Sequence, residues 1–395
     1  MTERLYYRDS TIVTFSGRVV DLTMDGETAR ITLDRSAFYP SSGGQLFDSG
    51  KLGEFAITEV IEENDEVIHI GSGTPPFAVG DQVEGRVDAE RRRDNMQKHT
   101  GQHILSRAFI EICGAATVSS RLGEEDCTVE LDRESVDQDC VRRAEKRANE
   151  IIFENRPVTV HFIPHAELSK YPLRKIPDRQ EGEYRIIQIA DYDWSACGGT
   201  HCTATGSVGL IKITGHDKLR GHIRFHFLTG LMALDDYRWR YEQIEAVAGL
   251  LTRHGREAAA GVAALLEDNG RLRRRIGELK KELLPSRIDG WLSQALIYKD
   301  VPVIALDFSG DDFKDAKDTA LAIVKRRPAI VIAGADDKLL MAVGNNLPYS
   351  AVDLVKKAAA QYGGRGGGTP QLAQGGGFSP EDIKVLLAHP ERVFD

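Results

Sequence analysis

Residues 89–114 read AERRRDNMQKHTGQHILSRAFIEICG. After a charged first turn, Met96, His99, His103, Leu105, Phe109 and Ile110 recur at helical spacing, which predicts an α-helix. The imidazoles of His99 and His103, four residues apart, then share one face of that helix. The stretch SACGGTHC (195–202) repeats the spacing with Cys197 and His201, and Gly198 and Gly199 between them permit a tight turn. Two such pairs suit a borderline-soft ion such as Zn2+, which accepts imidazole and thiolate together. The HTGQH pair encloses no glutamate, so it lacks the built-in general base of an HExxH helix. Four protein ligands ordinarily close a structural site, whereas an open position makes a catalytic one, and spacing does not choose between them.

This helix divides the chain. Before it, residues 13–23, 28–36, 55–71 and 79–88 carry β-branched residues, partial alternation and Gly/Asp/Asn turns, so residues 1–88 predict a small β-barrel or curled sheet. FYPSSGGQLFDSG (38–50) interrupts that pattern. Gly43 and Gly44 allow positive φ or close backbone approach there, and Gln45 offers an amide that both donates and accepts. Residues 89–238 predict an α+β domain. It holds the first helix, a second at 136–154, strands in VTVHFIP and RIIQIADYD leading to SACGGTHC, and further strands at VGLIKIT and HIRFHFLTG. Over 239–285, Ile244, Leu251, Ala258, Leu265, Leu272 and Leu279 recur every seven residues, with Ala248, Gly255, Val262, Asn269, Ile276 and Leu283 as companions. That a/d pattern predicts a helical linker, either a coiled coil or one amphipathic surface helix, with bends at Gly249, Gly255, Gly261, Gly270 and Gly277. Residues 286–395 predict a compact α/β domain. Its strands are VPVIALDF and PAIVIAGAD, its helices DAKDTALAIVKR, DLVKKAAAQY and 379–387, and GGRGGGTPQLAQGGG (363–377) reads as a long glycine-rich loop.

The chain has 395 residues, 41% hydrophobic and 28% charged, which is enough for two or three globular cores. It contains no apolar run long enough to span a bilayer, and MTERLYYRDS lacks the apolar core of a signal peptide, so the cytoplasm is the expected location. Five cysteines without a CxxC pair argue against a disulfide framework. Cys113, Cys127 and Cys140 read as buried small hydrophobes, and Cys202 as packing beside His201. A net charge of −9 weighs against extensive nucleic-acid contact, yet cations cluster locally. Arg91, Arg92 and Arg93 precede the first pair. Arg271, Arg273, Arg274 and Arg275 crowd the heptad segment, and Lys325, Arg326, Arg327, Lys356, Lys357 and Arg365 fall in the last domain. Each run taken singly reads as a solvated helix face.

In matching order, FYPSSGGQ, HTGQHILS, SACGGTHC and GGRGGGTPQLAQGGG resemble the editing half of alanyl-tRNA synthetase. Along essentially the whole chain they resemble the freestanding long-type alanyl-tRNA editing proteins. The resemblance implies a zinc-dependent trans-editing deacylase that hydrolyses the ester joining serine, and in some members glycine, to the 3′ end of alanine tRNA. It implies His99, His103, Cys197 and His201 as zinc ligands and Gln45, within Gly43-Gly44-Gln45, at the aminoacyl pocket. Thr100 and Thr200 are implied as weaker substrate contacts, residues 239–285 as the helical linker, and the last domain as the tRNA binder. In that domain Arg365, Gly366, Gly367, Gly375 and Gly376 belong to the glycine loop. Arg91, Arg92, Arg93, Arg274, Arg275, Lys356 and Lys357 are the cations expected to meet the tRNA backbone. A homodimer through the linker or the last domain is also expected. Nothing in the sequence resembles the class II aminoacylation domain or its ATP motifs, so tRNA charging and ATP use are not expected. The Asp-His-His domain of phosphoesterases is absent as well, which argues against exonuclease activity.

The chemistry is compatible with this reading. An aminoacyl ester is already activated and needs a positioned water and a stabilised oxyanion, for which backbone N–H groups around Gly43-Gly44 or Gly198-Gly199 are candidates. A pocket that hydrogen-bonds the serine hydroxyl would reject alanine, which leaves its polar groups unpaired, and Gln45 or a neighbouring threonine has the right chemistry. The rivals are a zinc hydrolase of small esters or amides, and a non-catalytic RNA-binding protein with structural zinc. Gly-Gly-Gln is also the tripeptide of peptide release factors, but its flanks here fit the editing family.

Overall fold

Along residues 14–19 the side chains alternate, with Phe15, Gly17 and Val19 turned inward and Thr14, Ser16 and Arg18 outward, as a half-buried strand requires. The computed structural model, which describes residues 1–176, 182–310 and 312–394, continues this into a seven-stranded antiparallel sheet. Its strand order is 55–57, 50–52, 82–87, 14–25, 28–33, 66–72 and 59–63. The two edge strands follow each other in sequence, and Thr58 N–H between them donates to Ile70 O (2.9 Å), so the sheet nearly closes. Phe15, Val19, Ile31, Phe38, Leu52, Ile57 and Val83 fill its interior.

The helix expected from residue 89 is α1 (Ala89–Cys113). The Asp88 carboxylate accepts from the N–H groups of Glu90 and Arg91, and Gly114 ends the helix in the left-handed conformation at φ 61°. It packs against α2 (Gln138–Phe153) and a four-stranded antiparallel sheet ordered 117–122, 127–131, 222–229 and 211–219. A separate three-stranded sheet, 158–164, 183–189 and 193–196, delivers the Cys-Gly-Gly turn. The strands at 117–122 and 127–131 were not anticipated from the sequence. Cys113, the last residue of α1, and Cys140, in the first turn of α2, are joined as a disulfide with their Cα atoms 5.8 Å apart. This corrects the reading of both as isolated thiols: helix packing brings together two residues whose separation of 27 gives no local signal. Cys127 and Cys202 are buried and unpaired, as expected.

The chain divides into two compact units, Met1–Gly249 and Leu250–Asp395. The heptad segment is broken between helix α3 (Gly230–Leu250) and helix α4 (Ala258–Ser293). Gly261, Gly270 and Gly277 stay inside α4 and do not interrupt it, and α4 runs through Pro285, where the last domain was expected to begin. In the second unit a six-stranded sheet is ordered 296–298, 301–307, 330–335, 338–343, 372–376 and 365–368, with only 301–307 and 330–335 parallel. Helices α5 (Phe313–Arg326), α6 (Ala351–Tyr362) and α7 (Pro380–Ala388) pack on it. The glycine-rich segment is a hairpin and not a loop. Gly366 pairs with Gly375 and Gly367 with Gln374, because residues 372–376 add to the strand 338–343. Among the described residues no helix is long and apolar enough to cross a membrane.

Candidate metal centre

Helix α1 presents His99 and His103 to the turn after strand 193–196, which carries Cys197 and His201. One ligand atom from each of the four lies within 4.8 Å of all the others. Cys197 Sγ is 3.3 Å from His99 Nε2 and 3.3 Å from His201 Nε2.

Two features of α1 fix where its histidines stand. Gly101 lets the helix lie against strand 222–229, since a Cβ there would come within 2.7 Å of Thr229 Cγ2. Arg92, two turns before His99, is wholly buried against an equally buried Asp48. Its guanidinium also donates to the carbonyls of Ser10 and Ala37, which ties α1 to the β domain. Arg92 is therefore removed from the expected tRNA contacts: none of it reaches solvent.

The outer nitrogens of two of the histidines are anchored. His99 Nδ1 donates to Gln45 Oε1 at 2.7 Å, and the same oxygen accepts Thr200 N–H at 3.0 Å while Gln45 Nε2 donates to Thr200 Oγ1 at 2.8 Å. His201 Nδ1 lies 3.3 Å from Thr100 Oγ1, which accepts Cys202 N–H at 3.0 Å. Gln45, Thr100 and Thr200 are buried and committed to orienting the ligands, the role outer partners of metal-bound histidines take. Gly199 has no room for a side chain: a Cβ would sit 2.1 Å from His99 Cε1 and 2.9 Å from Gln45 Oε1. Gly198 makes only ordinary contact with Tyr7. Gly43 and Gly44, both at positive φ, close a tight turn between Ser42 and Gln45, and Gly44 rests on the Ser120 carbonyl.

Electrostatics agree with the geometry. Burial pushes His99 down to about 3 and His201 to about 4, and holds His103 well below the usual histidine range. Burial raises the Cys197 thiol, but His201, the Gly199 N–H and Arg185 outweigh it and leave the thiol below its ordinary value. With Nδ1–H given to Gln45, His99 turns its Nε2 lone pair toward the sulfur. Three neutral imidazoles and a favoured thiolate facing one point form a donor set that fits Zn2+.

His103 also borders a cleft of about 410 Å³, whose other lining residues include Thr117, Ser119, Ser120, Arg174, Lys175 and Ser195. The sequence did not single out these residues, nor Asp193 and Arg185. Arg185 Nη1 donates to the carbonyls of Cys197 (2.7 Å) and Gly199 (2.9 Å) and so holds the turn. A lone arginine in the apolar run RIIQI, and an aspartate four residues before Cys197, were the available signals. Of the expected tRNA contacts, Arg91 donates to Phe47 O and Glu124, and Arg93 is exposed beside Glu90. Arg274 is exposed on α4, where Arg275 pairs with Glu278, and Lys356 and Lys357 are exposed on α6. Arg365, Gly366, Gly367, Gly375 and Gly376 form the hairpin.

Fold and site together define a β domain and an α+β domain that carries a His/Cys cluster able to hold a metal, followed by an α/β domain. Residues 2–91 match the family described as tRNA synthetases class II (A), residues 184–225 the threonyl and alanyl tRNA synthetase second additional domain, and residues 299–394 the DHHA1 domain. The residues of the first match form the β domain and the start of α1. The alanyl-tRNA editing protein AlaX-L of Pyrococcus horikoshii is 30% identical over 413 residues, covering 100% of this chain and 97% of that protein. The alanine–tRNA ligase of Pyrococcus abyssi is 29% identical over 95% of this chain, which spans only 42% of the ligase. The solved C-Ala domain of Aquifex aeolicus alanyl-tRNA synthetase is 23% identical, covering 22% of this chain and 90% of that domain with a TM-score of 0.20. The chain belongs to the family of alanyl-tRNA editing proteins and is related to the editing and C-terminal domains of alanine–tRNA ligases.

Proposed function

We propose that this chain is a deacylase that hydrolyses the ester between a wrong amino acid, serine first and glycine second, and the 3′ end of alanine tRNA. The observation that carries this reading is the four-donor cluster at the wall of a cleft of about 410 Å³, with His103 common to both. His99, His103, Cys197 and His201 would hold Zn2+, which when bound supplies a Lewis acid for ester hydrolysis. The surrounding residues orient and select. Gln45, Thr200 and Thr100 fix the imidazoles, and the Gly198-Gly199 turn is held open by Arg185. The hydroxyls of Ser119 and Ser120 in the cleft are the groups available to the serine hydroxyl, since Gln45, Thr100 and Thr200 are already engaged and Thr117 donates to Ser106. Arg174 and Lys175 at the same cleft provide positive charge for a terminal nucleotide.

In this reading the tRNA backbone meets cations: the half-buried Arg91 and exposed Arg93 on α1, and the exposed Arg274, Arg275, Lys356, Lys357 and Arg365 in the second unit, beside the backbone of Gly366, Gly367, Gly375 and Gly376. A second copy of the chain would cover the exposed heptad row Leu265, Leu272, Ile276, Leu279 and Leu283 of α4, whose spacing suits a like helix. The test is release of amino acid from serine-, glycine- and alanine-charged alanine tRNA. Serine is expected to be released fastest and alanine spared, with His103→Ala inactive but folded. Equal release of all three, or hydrolysis of small esters alone, would refute the reading.

A further inference from the structure

His103 is the ligand whose second nitrogen has no hydrogen-bond partner. Its Nδ1 is fully buried and unsatisfied. Buried polar atoms left without partners are uncommon and call for an explanation. Here the Asp193 carboxylate faces that nitrogen, with His103 Nδ1 3.8 Å from Asp193 Oδ2. The other two histidines are each anchored through Nδ1, to Gln45 Oε1 and Thr100 Oγ1, so the third anchor of the centre is missing only by a short gap. Asp193 is itself fastened from the cleft side. Ser195 Oγ donates to Asp193 Oδ2 at 2.9 Å, Arg174 Nε lies 3.0 Å from Asp193 Oδ1, and Arg174 Nε donates to Ser195 Oγ at 2.6 Å. Asp193 is 2% exposed; the positive charges of Arg174 and Arg107 act on it, and the donor it faces across the gap is His103.

We propose that Asp193 is a positioning residue for His103: it accepts the Nδ1–H of that ligand, while Arg174 and Ser195 hold it in place from the cleft. Binding of a cation at Nε2 makes Nδ1–H a stronger donor and draws the pair into contact, as carboxylate–histidine pairs behind metals do. The same linkage joins the metal centre to Arg174, a residue that lines the cleft. The inference rests on the metal-centre reading above.

Its test is the Zn2+ affinity of the full chain, by chelator competition, for wild type, Asp193→Ala, Asp193→Asn and His103→Ala, with the Co2+ absorption spectrum of each. Asp193→Ala is expected to weaken Zn2+ roughly ten- to hundredfold and to alter the Co2+ spectrum. Asp193→Asn, which keeps an acceptor oxygen, should recover part of the loss. Affinity within twofold of wild type in Asp193→Ala, or in Asp193→Asn should the alanine variant not fold, overturns the proposal. Imidazole 15N shifts of the Zn2+-loaded wild type give a reading free of any substitution: a protonated Nδ1 on His103 supports it and a metal-bound Nδ1 overturns it. Failure of wild type to bind Zn2+ would instead remove the metal-centre reading. A fall in His103→Ala with none in Asp193→Ala would remove only the role of Asp193.

Discussion

Gly199 carries more of the centre than its size suggests. A methyl group there would overlap the ring of His99, which Gln45 prevents from swinging aside. Gly199→Ala is therefore expected to weaken Zn2+ binding by about tenfold or more while the metal-free fold survives, read by chelator competition and circular dichroism. Arg92 has the opposite character. Replacing it with alanine leaves Asp48 buried without its cation, at a cost of about 3–5 kcal/mol in a denaturant titration. A tRNA-contacting arginine would instead change binding and leave stability alone. His69 adds a pH dependence of its own to that of the buried histidines of the centre. It is fully buried between Ser36 Oγ and Ile31 O, and burial lowers it to about 4. Above pH 6.5 it is neutral in both folded and unfolded chains and its contribution is complete. Below 6.5 the unfolded chain gains a proton that the fold refuses, so stability falls by up to about 1.4 kcal/mol per pH unit until pH 4. Urea midpoints between pH 7.5 and 4.5 should fall accordingly, and less steeply in a folded His69→Gln variant.

Helix α1 shows why part of the site was legible. Spacing of four on a helix is a local property, so HTGQH announced a shared face, whereas the Asp88 cap and the Gly114 terminus were found only in the structure. The cleft wall was not legible, because strand 117–122 and residues Arg174 and Lys175 meet His103 only through long-range packing. The glycine segment was misread for a related reason. Glycines give no alternation, and the hairpin exists because strand 338–343 templates it. Its glycines also differ from one another. A Cβ on Gly366 would reach 2.2 Å from Val355 Cγ1, whereas nothing lies within 4 Å of one on Gly367 or Gly376. Gly366→Ala should push α6 from the sheet and destabilise the second unit by about 1–3 kcal/mol. Gly367→Ala and Gly376→Ala should fold normally, so any loss of tRNA affinity they cause reports contact and not folding.

At the scale of the whole chain, four motifs in order carried the family, and the comparisons along its full length place it there. What composition concealed was the use of its charge. A net −9 gives no hint that Arg93, Arg274, Lys356 and Arg365 remain exposed while Arg92 is consumed inside. If those cations meet phosphates, the logarithm of tRNA affinity should fall linearly with that of salt, and each alanine substitution should reduce the slope by about one. The central claim is that the His/Cys cluster makes this chain an editing deacylase, and serine release from Ser-charged alanine tRNA tests it most directly. The protein is assayed as purified, after chelation, and after return of Zn2+. The account predicts a loss on the order of a hundredfold on chelation, restored by Zn2+. An undiminished rate in the fully metal-free protein would contradict it.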